Sequence, residues 1–249
     1  ETWGVAGTHL VRRGIEPASV RSIELFGPYD TSRALTSVVA LPDGAVYVGS
    51  ARGGLSSNPS DRGQLFDVTS FSPSLISIIP APTVAETGQP WPMNIRAMAF
   101  TSDTALWMVG DHGAVARYPL EARDGGERSG LGRGIVFPLA LEHDLFAAWA
   151  DGNHLWVAGD GGMIVHFDGA AWHIGGSGTN VALRAIFGLS ATDIWAAGDG
   201  GVLLHFDGAK WSRVPIHGYS GSLRAIWGGA PDDVWIGGED GMFHWGALP

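Results

Sequence analysis

Three arginines recur in the same kind of apolar run: Arg96 in IRAMAF, Arg184 in LRAIFG and Arg224 in LRAIWG. Fifteen residues after each stands an acid: Asp111, Asp199 and Glu239. Two chemistries fit this pattern. Guanidinium groups converging on one point would grip a substrate carboxylate, which their planar fork suits. Alternatively, each Arg pairs with the acid of its own segment and ties down a turn. Substitution inside the chain favours the second reading. Where Thr36 replaces Arg, the partner position is Ser50, also uncharged, and only Leu145 with Asp160 breaks the rule. Structural ion pairs are therefore expected at Arg96–Asp111, Arg184–Asp199 and Arg224–Glu239.

Three histidines also share a position: His166, His205 and His244. Histidine is the commonest metal ligand. Equivalent positions on successive structural units nevertheless lie too far apart for one ion, whose ligand bonds are about 2.0–2.1 Å long. Half-buried histidines stacked beside Trp are expected instead, with no metal and no cofactor. The acids Asp111, Asp160, Asp199 and Glu239 offer a weak cation or calcium site as the lesser alternative to turn chemistry. No HExxH, EF-hand, P-loop or GxSxG motif occurs. The Gly-rich GDGG phrases lead into strands, so phosphate binding at a helix start does not apply.

The elements that position these residues follow from a repeated phrase. LWMVGDHGAVARY begins at Leu106, LWVAGDGGMIVHFDG at Leu155, IWAAGDGGVLLHFDG at Ile194 and VWIGGEDGMFHW at Val234. SVVALPDGAVYVGS is a fifth, diverged copy. Each unit reads as short Ile-, Val-, Leu-, Phe- and Trp-rich strands separated by Gly or Asp-Gly turns. Four antiparallel strands in about forty residues describe a β-propeller blade. The repeats span about 35–79, 95–140, 144–176, 183–215 and 223–249 of a single domain, with 1–34 as a closing segment.

Marker aromatics Tyr47, Trp107, Trp156, Trp195 and Trp235 fall at intervals of 60, 49, 39 and 40 residues. Five blades are favoured, with an N-terminal strand completing the C-terminal blade so that no sheet edge stays free. Six blades follow if TWGVAG, HLVRR and VRSIELF build most of another.

Composition narrows the function classes. The chain has 249 residues, a formal charge of −10 and a single Lys, Lys210. An acidic chain without a basic stripe argues against nucleic-acid binding. Cysteine is absent, which excludes thiol nucleophiles and Cys-zinc sites but leaves the compartment open. No run approaches the roughly 18 apolar residues of a membrane span, so peripheral membrane association would need a partner. No signal-peptide pattern appears, and residue 1 is Glu, as processing could leave it.

The phrase DIWAAGDGGVLLHFDGAKW resembles the Trp-rich propeller repeats of secreted or surface proteins from myxobacteria and related bacteria. It is also similar to Asp-box propellers, including sialidases and photosystem II assembly factors. Asp168, Gly169 and Trp172, then Asp207, Gly208 and Trp211, match the Asp-box turn. His166 and His205 stand where that box has Ser or Thr two residues before the Asp. The resemblance covers about residues 35–245. It implies the fold, whereas propellers host unrelated activities. A sialidase would also require a Tyr nucleophile with a Glu partner, and the four tyrosines, Tyr29, Tyr47, Tyr118 and Tyr219, offer no such set.

Departures from the repeat point to function. The segment from Ala51 to Gly63 and the Pro-rich connection from Pro80 to Asn94 are insertions that should emerge on one face. They would present Arg52, Asn58, Asp61, Arg62, Glu86, Gln89 and Trp91 to a protein partner. Trp91, between two prolines, would be the anchor, or else fold back on its blade. A third insertion begins at Glu121 and should lie on the opposite face. The expected role is a non-enzymatic protein-interaction or scaffold module, periplasmic, secreted or surface-associated. A glycan-binding, lectin-like propeller is the alternative, and a glycosidase or lyase the third.

Overall fold

A computed structural model describes residues 2–6, 9–13, 20–24, 33–40, 45–52, 64–67, 77–79, 82–84, 93–101, 105–122, 129–139 and 141–246. The chain divides into two compact units, residues 1–100 with 104–141, and residues 101–103 with 142–249. The described strands fall into six sheets, three in each unit. Where the described residues give the register, all pairings are antiparallel except one.

In the first unit, β1 (Thr2–Ala6), β2 (His9–Arg13) and β3 (Val20–Glu24) form a three-stranded sheet in chain order. The second sheet is β4 (Arg33–Ala40), β5 (Val46–Arg52), β6 (Leu65–Asp67) and β7 (Ser77–Ile79). The third holds β8 (Thr83–Val84), β9 (Ile95–Thr101), β10 (Ala105–Gly110), β11 (Ala114–Ala122), β12 (Ser129–Leu131) and β13 (Ile135–Pro138). Its order is β8-β13-β11-β10-β9, with β12 also paired to β11 and β8 parallel to β13. Tyr47, Leu65, Ile95, Met98, Leu106, Met108 and Tyr118 form one buried cluster.

The second unit carries the most regular repeats. Its sheets are β14 (Leu145–Asp151), β15 (His154–Gly159), β16 (Met163–Phe167) and β17 (Trp172–Gly176), then β18 (Leu183–Ser190), β19 (Asp193–Gly198), β20 (Val202–Phe206) and β21 (Trp211–Arg213). The last has three strands, β22 (Leu223–Ala230), β23 (Asp233–Gly238) and β24 (Gly241–Trp245). The second strands β10, β15 and β19 are covered on both faces, so they read as near-continuous apolar runs, whereas β23 buries only Val234 and Ile236. Trp107 and Trp195 are each 1% exposed and Trp156 4%.

Turn chemistry sets the spacing. Asp160–Gly162 and Asp199–Gly201 each form a tight 3-10 turn between the second and third strands. Gly162 has φ 71°, and a Cβ there would collide with the Thr179 carbonyl. His112 takes the left-handed φ of 54° at the position where the sister turns use Gly161 and Gly200.

The N-terminal segments TWGVA, HLVRR and VRSIE build the sheet named as the six-blade alternative. In register, Thr2 faces Arg13 and His9 faces Glu24. The strand expected to complete the last repeat is thus paired with its own neighbours in sequence. Hairpin closure over a few residues costs less chain entropy than pairing across the whole chain.

Candidate functional site

The repeated arginines sit at defects in their ladders. In β18 the register jumps from Leu183↔Gly198 to Ala185↔Ala197, and in β22 from Leu223↔Gly238 to Ala225↔Gly237. Arg184 and Arg224 are therefore the extra residues of β-bulges, which re-aim a side chain. Each points at the acid of the following turn. Arg184 Nη2 lies 2.9 Å from Asp199 Oδ2, and Arg224 Nη2 lies 2.7 Å from Glu239 Oε1. In the first unit Arg96 Nε is 2.7 Å from Asp111 Oδ1, and Asn94 Nδ2 adds a 2.6 Å bond to the other oxygen. The Arg184 guanidinium holds Asp199 below its ordinary carboxylate range, and Arg224 does the same to Glu239.

The two repeats without Arg show what replaces it. Thr36 occupies the bulge of β4 and donates its hydroxyl to the carbonyls of Gly49 and Ile95. In β14 the jump lies between Leu145 and Ala147, so Phe146 holds the arginine's position, not Leu145. Counting from Trp156 misplaces it by one, because β14 lacks the second bulge found between Gly188 and Ser190 in β18. Phe146 lies under the Arg184 guanidinium at 4.4 Å, a cation–π contact. These arginines are each spoken for by an acid of their own repeat.

Two histidines stack on the repeat tryptophans and the third, His244, tilts against its own. Ring centroids are 3.8 Å apart for Trp156 and His166, 4.3 Å for Trp195 and His205, and 4.4 Å for Trp235 and His244. His205 Nε2 bonds Asp193 at 2.8 Å and His244 Nε2 bonds Asp233 at 3.0 Å. His154 stands where those acids would, with its Nδ1 2.9 Å from His166 Nε2. Burial, then His154 and His173, push His166 down to about 4. His173 donates to Asp168 at 2.8 Å, and that bond with the N–H groups of Ala171 and Ala170 holds the Asp168 carboxyl far below its usual range. Asp207 caps its turn through the N–H groups of Ala209 and Lys210. Among the described residues, no three His, Cys, Asp or Glu side chains are grouped to hold a metal ion.

A different feature stands out in the last sheet. Trp227, Met242 and Trp245 are 61%, 70% and 45% exposed. A groove of about 630 Å³ is lined by Leu203, Ile216, Trp235, Met242, Phe243 and Trp245 among others, and Trp227 stands on the face of the sheet opposite to Trp245. Sequence reasoning missed this surface, since Trp245 occupies the position of Phe206 and reads as one more core aromatic.

Asn58, Asp61, Arg62, Glu86, Gln89 and Trp91 lie outside the described residues, and Arg52 ends β5 with only its backbone described. No helix among the described residues is long and apolar enough to cross a membrane.

No protein-family model matches the sequence, and no curated protein matches it. Solved structures do. YCF48 bound to a D1 peptide is 15% identical, with a TM-score of 0.45 over 96% of this chain and 86% of that one. The WD40 β-propeller domain of Doa1 is 12% identical, with a TM-score of 0.57 over 84% of this chain and 64% of that one. A luciferin-regenerating enzyme is 12% identical, with a TM-score of 0.52 over 94% of this chain and 64% of that one. The chain thus spans just under two thirds of the length of the last two. At these identities the likeness is one of fold: an all-β chain of the β-propeller class.

Proposed function

We propose that the protein is a non-enzymatic interaction module that binds another protein in an extracytoplasmic or membrane-associated assembly. The observation that carries this reading is the groove of the last sheet, with Met242 and Trp245 exposed along it. Large aromatic and Met side chains left in water beside a concavity mark a surface that another molecule covers. The repeated arginines and histidines are engaged within their own sheets, which supports a structural role for them. The loop set around Trp91 is a second candidate surface, supported by sequence alone.

Met242→Ser and Trp245→Ser combined give the test. Partner capture from the source organism should be strong with the unaltered protein and lost with this variant. Equal capture by both would refute the assignment of the surface. A glycan reading has one specific support, since exposed Trp rings can stack on sugars. Saturable sugar binding on a glycan array, abolished by Trp227→Ala, would favour it over a protein partner.

A further inference from the structure

One repeat of the second unit has exchanged a carboxylate for an imidazole. His205 and His244 each bond an acid placed two residues before the repeat tryptophan, Asp193 and Asp233. The same place in the sheet β14–β17 holds His154, whose Nδ1 stands 2.9 Å from His166 Nε2. The two partners respond oppositely to acid. A carboxylate holds its histidine more tightly once the ring takes a proton. Two ring nitrogens in contact need one proton between them, and a second proton leaves two N–H donors facing each other.

A third imidazole completes the row. His173 of β17 is paired directly with His166, their ring centroids 5.8 Å apart, where the sister repeat sets Ser212 opposite His205. His154 and His166 are stacked at 5.1 Å, and His166 lies 3.8 Å from Trp156. Asp168, in the turn into β17, is bonded to His173. Asp151 of β14 is paired in register with His154 and is exposed. The neighbouring sheet packs Phe206 and Trp211 against Trp156, and Arg213, opposite Leu204, shares their face. Among the described residues, neither acid is hydrogen-bonded to His154 or His166. Burial, then His154 and His173, push His166 down to about 4, against the pull of Asp168.

We infer that the His154–His166 contact is a proton-released latch: in mildly acid medium a second proton parts the two rings, His154 turns to Asp151, and the outer strand β17 loosens from β16 while the neighbouring sheet stays closed. The charge left on His166 faces His173, so the repulsion falls on the β16–β17 pairing. That pairing is what holds β17, which stands last in its sheet and is paired with β16 alone among the described residues. The neighbouring sheet is spared because acid tightens His205 on Asp193. The device lies wholly within the second unit and does not depend on what the groove binds.

Hydrogen exchange on the intact protein at about pH 7 and about pH 5 tests it, read as protection factors that allow for the chemical rate at each pH. A His166 that titrates near 4 in the closed sheet and near about 6.5 once freed favours opening by roughly thirtyfold at about pH 5. Protection along 172–176 should therefore fall at least about tenfold between the two, with 193–198 unchanged within about twofold. His154→Asp copies the arrangement of Asp193 and should abolish the loss. Should that variant melt early, NMR of the ring nitrogens in the unaltered protein decides, since His154 and His166 should titrate as a coupled pair. Independent titration of the two overturns the inference. So does protection along 172–176 that ignores pH, or a loss that persists in His154→Asp. An equal loss along 172–176 and 193–198, which is unfolding of the whole unit, overturns it as well.

Discussion

Trp195→Ala should be the most damaging single truncation in the second unit. Trp195 is 1% exposed. It stacks on His205 at 4.3 Å and packs with Ala185, Leu203, Leu223 and Val234. An aromatic of this kind buries roughly 150–250 Å², worth about 4–6 kcal/mol at about 25 cal/mol per Å². Neighbours relax into part of the space, so a loss of about 3–5 kcal/mol is expected. For a chain of this size each kcal/mol moves the melting midpoint about 2–4 °C, giving a fall of roughly 6–20 °C. The indole N–H of Trp195 has no hydrogen-bond partner among the described residues. Trp195→Phe keeps the stack and removes that unpaired donor, so it should cost under about 2 kcal/mol. Trp227→Ala, at a residue 61% exposed, should stay within about 0.5 kcal/mol of the unaltered protein. Circular-dichroism melts and urea titrations of the three variants decide. A Trp195→Ala protein melting within about 2 °C of the parent would refute the reasoning.

Three further outcomes are expected. Gly162→Ala should cost more than about 1 kcal/mol in urea titrations, since the φ of 71° and the Thr179 carbonyl both oppose a side chain. A double-mutant cycle of Arg184→Ala and Asp199→Ala should give a coupling of only about 0.2–1 kcal/mol, because both side chains are about a third exposed. Arginine pairing lowers the Asp199 value, so the coupling is complete above the unfolded carboxylate range near about 4, disappears as pH falls through the lower folded value, and fades in salt. His166 is depressed to about 4 by burial and by His154 and His173, so the unfolded chain binds the extra proton. Stability should therefore fall as pH drops from about 6.5 towards 4, and His166→Gln should flatten that slope of urea midpoint against pH.

The repeat was legible because its signals are local. A Trp flanked by Gly-rich turns announces a covered second strand, and the spacing from Arg184 to Asp199 spans one hairpin whose bulge and turn are encoded within it. The slip at Leu145 and Phe146 shows the limit of counting, since one missing bulge shifts the equivalence by a residue while the apolar pattern stays unchanged. The grouping of the first three strands was open between two arrangements because TWGVAG can serve either as a lone edge strand or as the start of a hairpin set. The exposure of Trp227, Met242 and Trp245 was illegible for another reason. Burial of a strand depends on whether a neighbour covers it, and Trp245 carries the same residue-level signal as the half-buried Phe206.

The central claim is that the last sheet meets a protein partner. Hydrogen exchange followed by mass spectrometry, on the captured complex and on the free protein, tests it most directly. The expected result is slowed exchange on partner binding over residues 241–246 and 214–217, with the amides of β15 and β19 unchanged. Protection confined to any other surface, with 241–246 exchanging at the free rate, would contradict it.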